Sequence, residues 1–295
     1  MSLYNLRLQI SYEFDRPSGA GRQHFRILPA TLPGRQRLLG SLVTLEPEPG
    51  ELSFFTDFFG TSVVEAAIPA GLTRLELRLE ARVERLAEAG GLDLSMPVCR
   101  LGPEIAQCRS LGPTSPLHYH LPSRRIPEVN AISDFAEGAL RPGDSVAVVT
   151  ERLGLMLHDH MRFETGATDV DTPPAEAFAA RHGVCQDFAQ IMVGGLRSLG
   201  IPATYVAGYL RTLPPPGRKR LVGADAMHAW VRAWGGSQRG WIDYDPTNAC
   251  FTGADHIEVG MGRDYGDVAP VTGMLRLDGQ QEGRHSVDIT EAGEG

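Results

Sequence analysis

Lysine is almost missing from this chain. Lys219 is the only one, so 27 of the 28 basic residues are arginines. The protein therefore has almost no side-chain amine to offer as an acyl acceptor of its own. Basic runs are equally scarce, with Arg218-Lys219-Arg220 the one cluster, and the formal net charge is -8. A nucleic-acid binder would show a basic face or stripe, so that class is not expected. No stretch approaches 18 consecutive apolar residues, so no helix is expected to span a membrane. The opening MSLYNLRLQISYEF alternates apolar and polar residues and lacks the basic and apolar regions of a signal peptide. Four cysteines in 295 residues do not form a disulfide scaffold. These absences together lead us to expect a cytoplasmic protein with neither nucleic acid nor membrane as partner. The sequence carries no signal for oligomeric state.

What is present is a globular composition, 42% hydrophobic and 22% charged, long enough for one large or two ordinary domains. Residues 3–14, 23–28, 38–46, 52–56, 62–68 and 72–84 read as short strands. They are separated by turn formers such as Arg16-Pro17-Ser18-Gly19 and Pro47-Glu48-Pro49-Gly50. This predicts an antiparallel β-sandwich over 1–86. Residues 87–126, which carry Cys99, Cys108 and several prolines, read as a connector. Helical spacing follows over 127–139 and 144–161, the second with Asp144 as its expected N-cap. Thr172-Pro173-Pro174 opens a short helix with Thr172 as cap, and another helix starts at Cys185. After Pro202 the pattern turns to strands over 203–212, 226–234 and 241–245. Helices followed by strands predict an α+β domain over 127–295. The polar tail from Gly279 onward is expected to fray.

Three segments carry chemistry. In GVCQDFAQ, Cys185 sits where a helix should begin, and unpaired N–H groups and the helix dipole favour a thiolate there. In MHAWVRAW, His228 opens an alternating strand, and in GWIDYDPTN, Asp245 closes another. A hairpin centred between Gly236 and Ser237 would set His228 opposite Asp245, with Cβ atoms roughly 5 Å apart. A carboxylate there can orient an imidazole whose other nitrogen serves a thiolate, which is the logic of a Cys–His–Asp triad. A bulge would break that register, and Asp243 is the rival carboxylate on the same strand face. Taken singly, Cys185 reads as a packed hydrophobe, His228 as a satisfied histidine and Asp245-Pro246 as a turn.

The string RHGVCQDFAQ…LGIPATYVAGYL…MHAWVRAW…GWIDYDPTN resembles the bacterial transglutaminase-like superfamily. So do the approach GATDVDTPPAEAF and the ending HIEVGMGRDYGDVAPVTGML, while YEFDRP, FRILP and DFFGTSV resemble the β-rich domain that precedes such cores. The resemblance implies a papain-like core with a nucleophile helix packed on an antiparallel sheet. It implies Cys185 as nucleophile, His228 as general base and acid, Asp245 as orienting carboxylate, and no metal or cofactor. Met227, Arg232 and Phe163 depart from the family's pattern. Gln186 is a candidate second oxyanion donor, and Asp187, Trp230 and Asp243 are candidate supporting residues.

The expected activity is acyl transfer through a thioester, with peptide or isopeptide-like amides as substrates and hydrolysis as the outcome. The alternatives are a protein cross-linking acyltransferase and a non-catalytic binding module on the same fold. A zinc protein using Cys99, Cys108, His118 and His120 is a further alternative, although C-x8-C-x9-H-x-H is not a usual ligand spacing. No calcium loop of the D-x-[DN]-x-[DN]-G form is present, so no calcium dependence of that kind is expected. The loop 213–220, with three consecutive prolines, reads as exposed and near the cleft.

Overall fold

The computed structural model describes residues 1–86, 92–212 and 225–293. Six strands open the chain: β1 (Ser2–Phe14), β2 (Gly21–Phe25), β3 (Gln36–Glu46), β4 (Glu51–Thr56), β5 (Ser62–Ile68) and β6 (Arg74–Arg85). Their alternation is visible in β1, where Tyr4, Leu6, Leu8 and Ile10 are buried and the residues between them exposed. Helices α1 (Leu101–Gln107), α2 (Asn130–Glu137) and α3 (Val146–His160) follow, then a short parallel pair, β7 (Arg162–Phe163) and β8 (His182–Gly183), around α4 (Pro174–Ala180). Next come α5 (Cys185–Ser198), β9 (Ala203–Leu210), β10 (Ala226–Trp234), β11 (Trp241–Asp245), β12 (Cys250–Phe251), β13 (His256–Gly262) and α6 (Tyr265–Val268). The last strands are β14 (Val271–Leu275) and β15 (Gln281–Glu291).

Two four-stranded antiparallel sheets, β15-β1-β6-β3 and β14-β2-β5-β4, enclose the first core. A five-stranded sheet, β12-β11-β10-β9-β13, supports the second. The expected fold class holds: a β-sandwich precedes an α+β core whose helix α5 packs on an antiparallel sheet. Phe188, Ile191, Met192 and Leu196 of α5 are at most 1% exposed. Burial of each is worth about 2 kcal/mol, which fixes the helix against the sheet.

The end of the chain corrects two expectations. Residues after Gly279 do not fray: the full length of β15 pairs with β1, from Tyr4 with Glu291 to Phe14 with Gln281. β14 likewise pairs with β2. The sandwich expected from 1–86 is therefore completed by strands from within the expected 127–295 domain. The two cores also touch, since Tyr209, Ile257 and Val259 of the five-stranded sheet bury into the sandwich core, and the Tyr209 hydroxyl donates to the Ile27 carbonyl at 2.6 Å.

Two caps differ from expectation. Ser145, not Asp144, caps α3 by accepting from Val148 N–H at 3.4 Å, because Asp144 is held by Arg152. Thr172 does not cap α4; its hydroxyl turns to Asp169 at 3.2 Å. The expected loop 213–220 and residues 87–91 of the connector lie outside the described residues. No helix among the described residues is long and apolar enough to cross a membrane.

Candidate active site

Cys185 is the first residue of α5, after the extended Val184. The start of the helix is held by Asp187, whose Oδ2 accepts from Val184 N–H at 2.8 Å and from the Thr168 hydroxyl at 2.6 Å. Asp187 is fully buried, and burial raises its carboxyl above the ordinary range against those two hydrogen bonds. Gly183 makes room for it, because a Cβ at 183 would lie 2.6 Å from Asp187 Oδ2. Asp187 thus shapes the turn that presents Cys185, and it does not face the cavity.

His228 lies on β10 and Asp245 ends β11. The hairpin register differs from the sequence expectation by two residues: Trp234 faces Trp241 and Arg232 faces Asp243. Gly236 and Gly240, both at positive φ, carry the chain through a longer turn closed by Gly240 N–H to Gly236 O at 2.7 Å. One further step along the same register puts Trp230, not His228, opposite Asp245. A shift of two keeps the face unchanged, so the His228 ring reaches Asp245 diagonally, Nε2 to Oδ2, at 2.7 Å. That contact leaves Nδ1 for the Cys185 thiol, which lines the same cavity as His228 and raises its proton affinity.

The Asp245 carboxylate has no exposed surface. Its Oδ1 accepts from the backbone N–H of Thr247 and Asn248 at 2.9 and 3.1 Å. Its Oδ2 accepts from Asn248 Nδ2 at 2.7 Å and faces His256 Nε2 at 3.0 Å. Burial alone would raise its pKa, yet His228, His256 and Asn248 outweigh burial and hold it well below the ordinary carboxylate range. Burial likewise pulls His228 down, but the Cys185 thiolate and then Asp245 push it up to about 10.

His256 escaped the sequence reading. Its Nδ1 accepts from Gly253 N–H at 3.2 Å, which places the proton on Nε2, toward Asp245. A lone histidine at a strand start gives no local signal; β13 pairs with β9, and only the fold brings the His256 side chain across to Asp245. His228, Asp245 and His256 also form a group whose ligand atoms lie within 4.8 Å of one another. Each of those atoms is already engaged in the hydrogen bonds above. The zinc alternative is not assembled: Cys99 is exposed, His118 Nε2 bonds to the Leu111 carbonyl, and Cys99, Cys108, His118 and His120 make no such group among the described residues.

The remaining candidates separate. Gln186 lines the cavity with Cys185, and its Nε2 donates to Val170 O at 3.2 Å. Trp230 is 1% exposed and packs edge-on to His256, so it supports the site from below. Asp243 is not near His228. It is buried between Arg232 and Arg35, with Glu258 on the other side of Arg232. Met227 lines the cavity, whereas Arg232 belongs to that ion network and Phe163 is half exposed on β7.

The cavity holds about 230 Å³ and lies between the two cores. Tyr205, Tyr209 and Met227 form its apolar wall, while Arg26, Pro270 and His285 close it from the sandwich side.

Comparison with known proteins follows the same two parts. The family model of the transglutaminase-like superfamily core matches residues 134–246, and that of the bacterial transglutaminase-like N-terminal region matches residues 4–84. An uncharacterized protein of Mycobacterium tuberculosis is 32% identical over 244 residues, covering 82% of this chain and 77% of that protein. A protein-glutamine gamma-glutamyltransferase of Pseudomonas aeruginosa is 34% identical over 131 residues, 43% of this chain and 19% of that protein. A solved structure from Cytophaga hutchinsonii, assigned as a cysteine protease, covers 98% of this chain and 90% of its own with a TM-score of 0.74 and 20% identity; that likeness is one of fold.

Proposed function

The chain belongs to the transglutaminase-like superfamily, and from that premise we propose that it is a thiol acyl-transfer enzyme hydrolysing peptide or isopeptide-like amides. Cys185 is its nucleophile, His228 its acid and base, and Asp245 its orienting carboxylate. The observation that carries this reading is one chain of contacts: Cys185 at a helix start, His228 beside it, and Asp245 Oδ2 2.7 Å from His228 Nε2.

In this mechanism the Cys185 proton passes to His228 Nδ1, giving a thiolate–imidazolium pair. The thiolate attacks the amide carbon, and the carbonyl electrons move onto oxygen. The Cys185 backbone N–H, at the first turn of α5 where intrahelical acceptors are lacking, is one donor to that oxyanion. As the tetrahedral intermediate collapses, the C–N bond breaks and His228 gives its proton to the leaving amine, leaving a thioester. Water, deprotonated by His228, then attacks the thioester. The acid is released and the proton returns to sulfur. Asp245 stays ionised throughout and fixes the imidazole tautomer.

Transamidation is the second reading, favoured by the similarity to the Pseudomonas aeruginosa transferase over 131 residues. Here an external amine replaces water in the last step; Lys219 is the one side-chain amine this chain could itself offer.

The test incubates the protein and its Cys185→Ala variant with a defined pool of glutamine- and isopeptide-containing peptides, read by mass spectrometry. Cleaved or deamidated products that vanish in the variant support the reading. Diversion into amide adducts on addition of a primary amine selects transamidation. A peptide pool left unchanged, together with a Cys185 inert to alkylation, rejects both and selects a binding module.

A further inference from the structure

The sandwich contributes more than support to the cavity. Arg26 follows β2 and is pinned through its backbone, whose N–H donates to the Pro270 carbonyl at 2.9 Å. Its guanidinium is oriented at two points: Nε donates to Asp57 Oδ2 at 3.0 Å and Nη1 to the Thr272 hydroxyl at 3.2 Å. Among the described residues, Nη2 has no hydrogen-bond partner. The side chain keeps 14% of its surface exposed and lines the same cavity as Cys185. An arginine held this way presents the rest of its planar fork to whatever enters, and a carboxylate is the group that matches such a fork.

The charge of the cavity points the same way. The chain as a whole carries eight excess negative charges, yet no aspartate or glutamate is among the described residues lining this cavity. Arg26, His228 and His285 are its titratable cationic groups, and Arg26 is charged at every physiological pH. Asp57 balances part of the Arg26 charge at 3.0 Å, but with no carboxylate on the cavity wall the remaining edge of the fork favours an anionic occupant over a cationic one. The rings of Tyr205 and Tyr209 and the Met227 thioether give the same cavity apolar surface, and the Tyr209 hydroxyl is consumed by Ile27 O.

We propose that Arg26 reads a carboxylate on the acyl donor, so that the substrates of this site are acidic peptide-like amides seated with an apolar group against the tyrosine wall. The inference rests on the thiol acyl-transfer reading and names the substrate class for that same site. Arg26 acts here as a specificity residue supplied by the sandwich, which explains why the two cores are built around one cavity.

The test uses Cys185 itself as the reporter, so no substrate need be known. Iodoacetyl conjugates of glycine, β-alanine and 4-aminobutyrate place a carboxylate at increasing reach from the alkylated sulfur. Each is compared with its neutral carboxamide on the full chain. The carboxylate form alkylates Cys185 about tenfold faster than its carboxamide at one linker length, as one charge-assisted contact allows. That ratio falls toward one in Arg26→Gln and is partly kept in Arg26→Lys. His228 attracts all anionic probes alike, so the dependence on linker length and on Arg26 isolates the proposed contact. Should Arg26→Gln not fold, the native ratio read against ionic strength replaces it, and a ratio that salt leaves unchanged overturns the proposal. Equal rates for both forms at every length, or a preference unaltered by Arg26→Gln, also overturn it. If even the neutral probes leave Cys185 unlabelled, the thiol reading itself is what fails.

Discussion

His228 and His256 aim their Nε2 atoms at one oxygen, Oδ2 of Asp245, from 2.7 and 3.0 Å. The second histidine cannot serve the thiol, because its Nδ1 is occupied by Gly253 N–H. Its effect is on the carboxylate: it fixes the direction of Oδ2 and hence the plane of the His228 ring. Replacing His256 by Phe keeps the ring packing on Trp230 but removes the donor. Alkylation of Cys185 by iodoacetamide at pH 7 then slows about tenfold, the cost of one lost hydrogen bond to a charged group. His256→Gln, which can still donate, recovers most of the rate. Circular dichroism separates this from unfolding. A folded His256→Phe that alkylates at the native rate would remove His256 from the positioning role.

The two partners of His228 predict its titration. Burial lowers its affinity for a proton, and the Cys185 thiolate and Asp245 more than reverse that, to about 10. The imidazolium therefore persists through neutral pH and is lost only as pH rises through about 10. Nuclear magnetic resonance of the His228 ring should give a midpoint far above the ordinary 6.5 of histidine. Cys185→Ala removes the first of the raising influences and moves the midpoint down; Asp245→Asn moves it down as well. A native midpoint near 6.5 would rule out the ion pair.

How much of this the sequence discloses depends on how local the signal is. The strands at 226–234 and 241–245 and the helix start at Cys185 announce themselves through alternation, turn glycines and a change of period. The hairpin register does not, because Gly236 and Gly240 both take positive φ and move the turn centre by one residue. Asp245 still reaches His228, since an even displacement preserves the face. Asp243, on the same face, is drawn off by Arg232 and Arg35, and Arg35 lies 208 residues away in sequence. β15 is half exposed and polar, so nothing within it reveals that it pairs with β1. His256 is hidden for the same reason: its partner is set by sheet order.

Gly154 tests how tightly β11 is held. It lies on α3 against Tyr244, and a Cβ there would fall 2.0 Å from the ring carbon Cε1. Tyr244 is fully buried and precedes Asp245, so the ring has no free path away. Gly154→Ala is expected to cost about 1–3 kcal/mol of stability as overpacking and to slow Cys185 alkylation by shifting β11. Thermal unfolding and the alkylation rate are the measurements. An unchanged melting temperature would mean that α3 can slide, and that packing there does not fix the site.

Asp243 predicts the acid limit of the fold. Burial raises its pKa, but Arg232 and then Arg35 outweigh burial and bring it down to about 2, against an ordinary aspartate near 3.8. A carboxyl depressed in the folded state stabilises above its unfolded pKa and loses that contribution as pH falls through the folded one. The window is therefore from about 3.8 down to about 2, and the contribution is on the order of 2 kcal/mol. Arg35 comes from the sandwich and Arg232 from the core sheet, so protonating Asp243 also loosens the junction that shapes the cavity. Asp243→Asn removes the carboxylate charge that Arg232 and Arg35 share, leaves Glu258 on Arg232, and is destabilising at pH 7, but its stability is flatter than the native curve between pH 4 and 2. Denaturant unfolding across that range decides the matter: parallel curves for the two proteins would show that the junction does not depend on this carboxylate.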